Sequence, residues 1–342
     1  MTRVLVALGG NALQPARSAG TWTEAVRTMR RSARYLARTV AVGHELVVTH
    51  GNGPQVGDLV REAELAEKEV PAPPMYVAGA ESEGEIGFLI AQELSTALAR
   101  AGVPRIVVPV VCRTEVAADD PAFRAPSKPV GRFYTAAEAR RLRAARGWTL
   151  RADRARGGWR RVVPSPIPRR WLEGPAIRRA FDLGLGRRCV FVVTGGGGVP
   201  VVRRANGAWA GVDAVIDKDR AAALVARELD CAALVIVTDV PGAAVGFGRP
   251  GQRWLRDVSA AELGAHLRAG EFGSGSMGPK VEAVLEFVRR GGREAVITDL
   301  RSLSRALAGR AGTRVRSAAA TPGGGAIGSP ASGRRRRAVK PA

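Results

Sequence analysis

The sequence predicts an α/β sandwich built around a largely parallel sheet. Three observations carry that prediction. Short apolar runs of four to six residues alternate with longer amphipathic stretches, several of those runs end in glycine-rich or polar turns, and 46% of the 342 residues are hydrophobic while only 5% are aromatic. Strand and helix in alternation imply parallel strands joined by helical crossovers. The scarcity of aromatics implies a core of Ala, Val and Leu. A charged fraction of 25% is ordinary for a globular chain and excludes rod-like or wholly disordered classes.

The elements follow in order. Val4–Leu8 is the first strand and ends in Gly9-Gly10-Asn11. A helix is predicted from about Trp22 to Val42. Glu45–Thr49 is the second strand, ending in His50-Gly51-Asn52-Gly53-Pro54. Helices are predicted at about Gln55–Val70 and Ser82–Ala101, then a strand at Arg105–Val111. The rhythm stops from about 113 to 170, a stretch rich in Pro, Gly and Arg. A structureless loop of that length is improbable inside a compact domain, so an inserted lid subdomain is expected. The rhythm resumes with a helix near Trp171–Asp182 and the strand Cys189–Thr194, followed by four glycines, Gly195–Gly198. A hairpin through Asn206-Gly207 comes next, then a helix at about Lys218–Leu229 and the strand Ala233–Thr238. Helices at Ala260–Arg268 and Lys280–Gly291 and the strand Glu294–Thr298 close the series.

Charge narrows the reading. The formal net charge is +22, and of 53 Lys and Arg residues only five are lysines: Lys68, Lys128, Lys218, Lys280 and Lys340. Lysine is a compact point charge and arginine a planar fork, so lysines that persist in such a chain mark places where a fork does not fit. Thirteen arginines lie between Arg140 and Arg179. Residues 317–342 are rich in Ala, Gly, Pro and Ser, carry Arg334–Arg337 and Lys340, and have no aromatic on which a base could stack. That composition reads as a disordered basic tail, and no specific nucleic-acid partner is expected. No apolar run reaches the roughly 18–20 residues of a membrane helix, and no secretory signal is visible. Three scattered cysteines, Cys112, Cys189 and Cys231, form no metal or disulfide pattern. A cytoplasmic protein is expected.

Ligands of parallel sheets bind beyond the carboxyl ends of the strands. Glycines there let backbone N–H groups approach an anion, and a following helix N-terminus adds partial positive charge. The turns at Gly9, Gly51 and Gly195 are thus three candidate phosphate cradles. The familiar nucleotide motifs are absent. No GxGxxG is complete, and Pro279 separates Gly278 from Lys280 where a P-loop needs them adjacent. Lys280 falls at a predicted helix N-terminus, where a cation is unfavourable unless an anion joins it. Asp217-Lys218-Asp219 opens another helix, and its two carboxylates can fix the lysine between them. Lys218 and Lys280 would converge on a phosphoryl group with Asp219 between them.

Seven stretches, in order, resemble carbamate kinase, a member of the amino acid kinase fold family. They are VALGGNAL (6–13), THGNGPQVG (49–57), SKPVG with FYT (127–135), TGGGGVPVV (194–202), GVDAVIDKD (211–219), VTDV (237–240) and GSMGPKVEA (275–283). GRAGTRV (309–315) is similar to the family's end. The related acetylglutamate kinases place a lysine two residues before their first Gly-Gly pair, where this chain has Ala7. The resemblance implies a three-layer α/β/α sandwich on a mainly parallel eight-stranded sheet, with a kinase domain over 1–316, the lid inserted at about 113–170, and a homodimer. It implies ATP and carbamate giving ADP and carbamoyl phosphate, run toward ATP in arginine breakdown. It implies ATP/ADP with Mg2+ as cofactors; Mg2+ often sits on phosphate oxygens and water, and no metal ligand is assigned from the sequence. The implied catalytic residues are Lys218, Asp219, Lys280 and Lys128, the last from the lid. Gly9, Gly10, Asn11, Gly51, Asn52 and Gly53 would hold substrate and phosphate, and Thr238, Asp239, Val240, Met277, Gly278 and Pro279 would border the nucleotide. The other enzyme reading is a relative that phosphorylates a different carboxylate or phosphate. Carbamate is already an anion, so its phosphorylation requires alignment and charge neutralisation and no general base.

Overall fold

The computed structural model describes residues 2–13, 18–153, 157–273 and 277–316. The predicted tail at 317–342 lies outside them, as do Gly275 and Ser276 of the last motif. In chain order the sandwich begins with β1 (Arg3–Leu8), α1 (Trp22–Ala41), β2 (Glu45–His50), α2 (Gly53–Ala66), α3 (Met75–Arg100) and β3 (Ile106–Pro109). β4 (Arg113–Glu115), β5 (Lys128–Tyr134), α4 (Ala136–Arg146), β6 (Leu150–Ala152), β7 (Trp159–Val163) and β8 (Arg170–Trp171) occupy the inserted region. The chain continues through α5 (Gly174–Asp182), β9 (Cys189–Val192), β10 (Val199–Arg203), β11 (Trp209–Gly211), α6 (Lys218–Glu228) and β12 (Ala233–Thr238). It ends with β13 (Ala244–Val245), β14 (Arg253–Trp254), β15 (Asp257–Ser259), α7 (Ala260–Arg268), α8 (Met277–Arg289), β16 (Glu294–Asp299), α9 (Leu303–Leu307) and β17 (Thr313–Arg316).

Eight strands form the central sheet in the order β15-β17-β16-β12-β1-β2-β9-β3. Every pairing is parallel except β16 with β17. The predicted mainly parallel eight-stranded sheet is therefore present, with helices on both faces. The period-2 alternation of β1 shows why. Leu5 and Ala7 pack with Phe181 of α5 and with α6 and α8 on one face. Val4, Val6 and Leu8 pack with Met29 and Leu36 of α1 and with Ile90 and Leu94 of α3 on the other. A strand buried on both faces needs an unbroken apolar run, and VLVAL supplies it.

Three expectations are corrected. The third helix begins at Met75, after Pro74, rather than near Ser82. Trp171 ends a strand paired with β4, and the helix expected there starts at Gly174. The sheet also does not close at β16. β17 and β15 extend its edge, and Thr313 is stitched in from within, accepting from the Ala243 N–H at 2.8 Å and donating to the Leu255 carbonyl at 2.7 Å.

Within the inserted region, β5, β7 and β6 form a separate antiparallel sheet, with α4 opened by a Thr135–Glu138 capping box and closed by left-handed Gly147. Its apolar cluster is small, with Tyr134, Ala139, Leu142 and Leu150 buried and Trp148 and Trp159 packed against them. Arginines cover these rings. Arg161 lies 4.1 Å from the Trp148 ring centroid, Arg132 4.2 Å from Tyr134 and Arg143 4.7 Å from Trp159. This gives part of the arginine excess a structural role. The layer rests on α2. The Tyr134 hydroxyl donates to Glu64 at 3.0 Å, Arg146 pairs with Glu67, and a Cβ added at Gly57 would meet the Gly131 Cα at 3.3 Å.

Candidate active site

The carboxyl ends of β1 and β2 deliver Gly9-Gly10 and Gly51-Asn52-Gly53 side by side, since the two strands are paired to their last residues. Gly9 presses on the neighbouring strand: a Cβ there would meet the Val237 carbonyl oxygen at 2.7 Å. Gly51 leaves room for another chain segment. Its missing Cβ would sit 3.1 Å from Cδ of Lys218, so the lysine stem passes over Gly51 on its way to the site. Gly53 has open space where a side chain would be and begins α2, with Pro54 in the first turn. That turn leaves N–H groups facing outward.

Asp217 is the N-cap of α6 and accepts from the N–H groups of Asp219 at 3.0 Å and Arg220 at 3.3 Å. The cap fixes the direction in which the next two side chains leave the helix. Asp219, only 3% exposed, accepts from Lys218 through Oδ1 and from Lys280 through Oδ2 at 3.1 Å. The anticipated arrangement of Asp219 between two lysines is what the structure contains. It also answers the cation at the start of α8: the partner of Lys280 is Asp219. Burial and neighbouring Lys280 depress the Lys218 pKa, while Asp219 raises it. Burial pushes the Asp219 carboxyl upward, but Lys218 and Lys280 outweigh it and hold the group below its ordinary value.

Lys128, on the first residue of β5, donates to Asp217 Oδ2 at 2.7 Å. Three of the chain's five lysines therefore gather on two carboxylates at one helix N-terminus. Burial opposes ionisation of Asp217, yet the Lys128 charge and hydrogen bond bring its pKa down to about 2.

The remaining expected residues sit around this cluster. Thr238, Asp239 and Val240 leave the end of β12, with the Thr238 hydroxyl donating to Asp239 at 3.1 Å. Met277, Gly278 and Pro279 form the first turn of α8, directly before Lys280. Gly10 opens a short 3-10 turn; the side chain of Asn11 lies outside the described residues. Asn52 is 7% exposed and spends its amide hydrogen on Ser82 Oγ at 2.8 Å.

The third predicted cradle is corrected. Gly195, Gly196 and Gly197 are buried. A Cβ at Gly196 would fall inside the Asn52 amide, one at Gly195 would overlap the His50 ring, and one at Gly197 would meet the Ile216 carbonyl oxygen at 2.9 Å. Gly196, Gly197 and Gly198 have positive φ, and Thr194 is left-handed at φ 46°. This turn is a packing seat that sets Asn52 and His50 in place.

Sequence reasoning missed His50, Glu83 and Ser82, and it gave Asp217 the wrong lysine: both carboxylates of the DKD motif are expected to fix Lys218, whereas Lys218 donates to Asp219 and Asp217 accepts from Lys128. His50 is 2% exposed, donates through Nδ1 to the Gly51 carbonyl at 3.0 Å, and is pushed down to about 4 by burial. Glu83 is buried beside Gly195 and accepts from the Cys112 N–H at 2.6 Å, and burial raises its carboxyl well above the ordinary range. Ser82 receives Asn52. Only Asp217, inside the DKD motif, carried a local signal. Among the described residues no three His, Cys, Asp or Glu side chains are gathered to hold a metal ion. Asp217 and Asp219 are taken up by lysines, so the expected Mg2+ finds no cage of side chains there.

Comparison with known proteins agrees with this geometry. The model of the amino acid kinase family matches residues 2–299. A carbamate kinase of Pyrococcus horikoshii is 44% identical over 315 residues, 92% of this chain and 98% of the relative. One from Trichomonas vaginalis is 40% identical over 92% of this chain and 99% of its own. The solved structure of carbamate kinase from Giardia lamblia bound to AMP-PNP superimposes with a TM-score of 0.85 at 38% identity, covering 92% of this chain and 98% of that one. By its sequence along nearly its whole described length, and by the lysine–aspartate cluster at the ends of its parallel strands, this chain belongs to the amino acid kinase family, in the branch of the carbamate kinases.

Proposed function

We propose that this protein is a carbamate kinase, moving a phosphoryl group reversibly between ATP and carbamate to give ADP and carbamoyl phosphate. One observation carries the reading: a buried carboxylate, Asp219, holds the ammonium groups of Lys218 and Lys280 on its two oxygens. Two cations fixed in this way are preorganised for charge that spreads over a transferring phosphoryl group. The relatives named above are carbamate kinases.

The phosphoryl group lies over the Gly10 and Gly51 backbone, near the open first turn of α2, whose N–H groups favour an anion. Lys218 and Lys280 stand on either side of its charge, and Lys128 contributes from the lid. Carbamate attacks as an anion and needs no base; the neutral state of His50 agrees with a role in packing. Thr238–Val240 and Met277–Pro279 border the nucleotide, which brings Mg2+ on its own phosphate oxygens. The domain reading, a kinase domain over 1–316 with its lid at about 113–170 and a basic tail, belongs to this proposal. So do the homodimer and a role in arginine breakdown. No described helix is long and apolar enough to cross a membrane, and the three cysteines are free and buried; a cytoplasmic setting fits both.

The test is coupled ATP detection from ADP and carbamoyl phosphate, with acetylglutamyl phosphate as the competing donor. ATP from carbamoyl phosphate alone is expected. Activity with the other donor alone would move the protein to a different branch of its family.

A further inference from the structure

We infer that Asp217 is a positioning residue that docks the lid onto the catalytic helix, holding Lys128 over the site through one oxygen while it caps α6 through the other. The inference rests on the phosphoryl-transfer reading above and adds a residue to it.

The two functions are divided atom by atom. Oδ1 receives the N–H groups of Asp219 and Arg220 and starts α6. Oδ2 receives Lys128 Nζ at 2.7 Å, across 89 residues of sequence and from the antiparallel sheet of the lid. The same carboxylate therefore sets the direction of Lys218 and Asp219 and the reach of the lid lysine. The Asp217 side chain is 14% exposed and that of Lys128 34%. An ammonium has three donors, and one bond to Asp217 leaves the outer face of Lys128 able to meet a substrate oxygen.

The rest of the lid fixes the strand but not the side chain. Tyr134–Glu64, Arg146–Glu67 and the Gly57–Gly131 approach hold the lid on α2, and near Lys128 the buried Val130 and Val163 pack with Met75, Val60 and Val215 while the Val215 N–H donates to the Pro164 carbonyl at 2.9 Å. These contacts place the backbone of β5 and leave the Lys128 ammonium to be drawn in by charge. Lysine is a flexible stem with high rotamer freedom, and a partner that orders it beforehand lowers the cost of ordering it on substrate.

The chemistry allows a clean separation. Asparagine and serine are both good N-caps, and neither carries the charge that holds Lys128. Asp217→Asn and Asp217→Ser should therefore keep the α6 cap and ADP affinity, with a melting temperature lowered by no more than in Lys128→Ala, which breaks the same pair. KM for carbamoyl phosphate should rise on the order of tenfold, as for loss of one partly screened charge-assisted hydrogen bond. Because Asp217 acts through Lys128, adding Asp217→Asn to Lys128→Ala should produce no further loss. Amide exchange over residues 125–130, followed by mass spectrometry without any substrate, should speed up in Asp217→Asn. Unchanged KM, a lowered KM, or additive losses in the double variant would overturn the inference. The exchange arm separates the two readings. If wild type makes no ATP from carbamoyl phosphate, the functional proposal falls, while unchanged exchange at 125–130 would independently remove Asp217 as the dock.

Discussion

Replacing Asp219 with asparagine keeps the side chain's shape and removes its charge. The consequence can be worked from the geometry. Each Asp219 oxygen receives one ammonium, from Lys218 and Lys280, and the side chains of all three are at least 83% shielded from solvent. In the variant one oxygen becomes an NH2 group that points a donor at a donor, and two buried ammonium groups face each other without a counter-charge. Removing one partner of a buried ion pair costs about 3–5 kcal/mol, a large share of a typical stability of roughly 5–15 kcal/mol. For a chain of this size that lowers the melting temperature by about 4–7 °C. Turnover should fall on the order of 10²-fold or more, as for loss of other preorganised electrostatic groups. The pH dependence has a definite sign. Asp219 is held below its ordinary value of 3.8, so its contribution is present above that pH and is lost as the pH falls through the lower folded-state value. The gap in stability between wild type and variant should thus be full at neutral pH and close on acidification below 3.8. Calorimetric melting from neutral to acidic pH and coupled ATP detection measure both effects. A variant melting within about 2 °C of wild type, with near-normal turnover, would refute the assignment of Asp219 as the residue that holds the two lysines.

Lys280→Arg keeps the charge but replaces a point cation with a planar fork; kcat for ATP formation should drop on the order of 10²-fold, and a near-normal value would remove Lys280 from the phosphoryl site. Gly196→Ala must adopt φ 63° and drive a methyl group into the Asn52 amide; the left-handed backbone alone costs about 1–2 kcal/mol, so thermal stability and turnover should fall together, and unchanged turnover would show that the seat does not position Asn52. His50 is depressed from 6.5 to about 4, so the unfolded chain takes up a proton that the folded chain refuses. Its contribution is full above pH 6.5 and disappears as the pH falls toward 4, a loss of about 3 kcal/mol. Urea titrations of wild type and His50→Gln at neutral and acidic pH should show a steeper acid loss in wild type; equal losses would refute the assignment.

Which features the sequence revealed depended on how local their causes were. The strands buried on both faces were legible because each is an uninterrupted apolar run. The Asp219 cluster was legible because DKD opens a helix and lysine is rare in this chain. β17 was not: TRVR alternates charge with apolar residues, and Arg314, which would read as exposed, is buried against Glu294. The start of α3 was hidden behind a proline-rich approach, since Pro74 is its cap and no Ser, Thr, Asp or Asn marks the spot. The glycine run looked like a cradle because glycine permits close approach to anything. Here the neighbours are the side chains of His50 and Asn52. The Lys128–Asp217 pair joins a strand of the lid sheet to the cap of α6, 89 residues apart, and no local pattern signals it.

The thin apolar centre of the lid has a thermal consequence. Four buried residues and two flanking tryptophans, roofed by arginines, with Val130 and Val163 joined to Met75 in a second small cluster, bury far less than the two large clusters that sandwich the main sheet. Regions with few apolar contacts open at lower free energy than the core. On heating, the lid should therefore come apart before the sandwich does, carrying Lys128 away while Lys218, Asp219 and Lys280 stay joined. Turnover should then fade reversibly at a temperature where far-ultraviolet circular dichroism still reports intact helices. Coincident loss of both signals would instead mean that lid and sandwich melt as one unit.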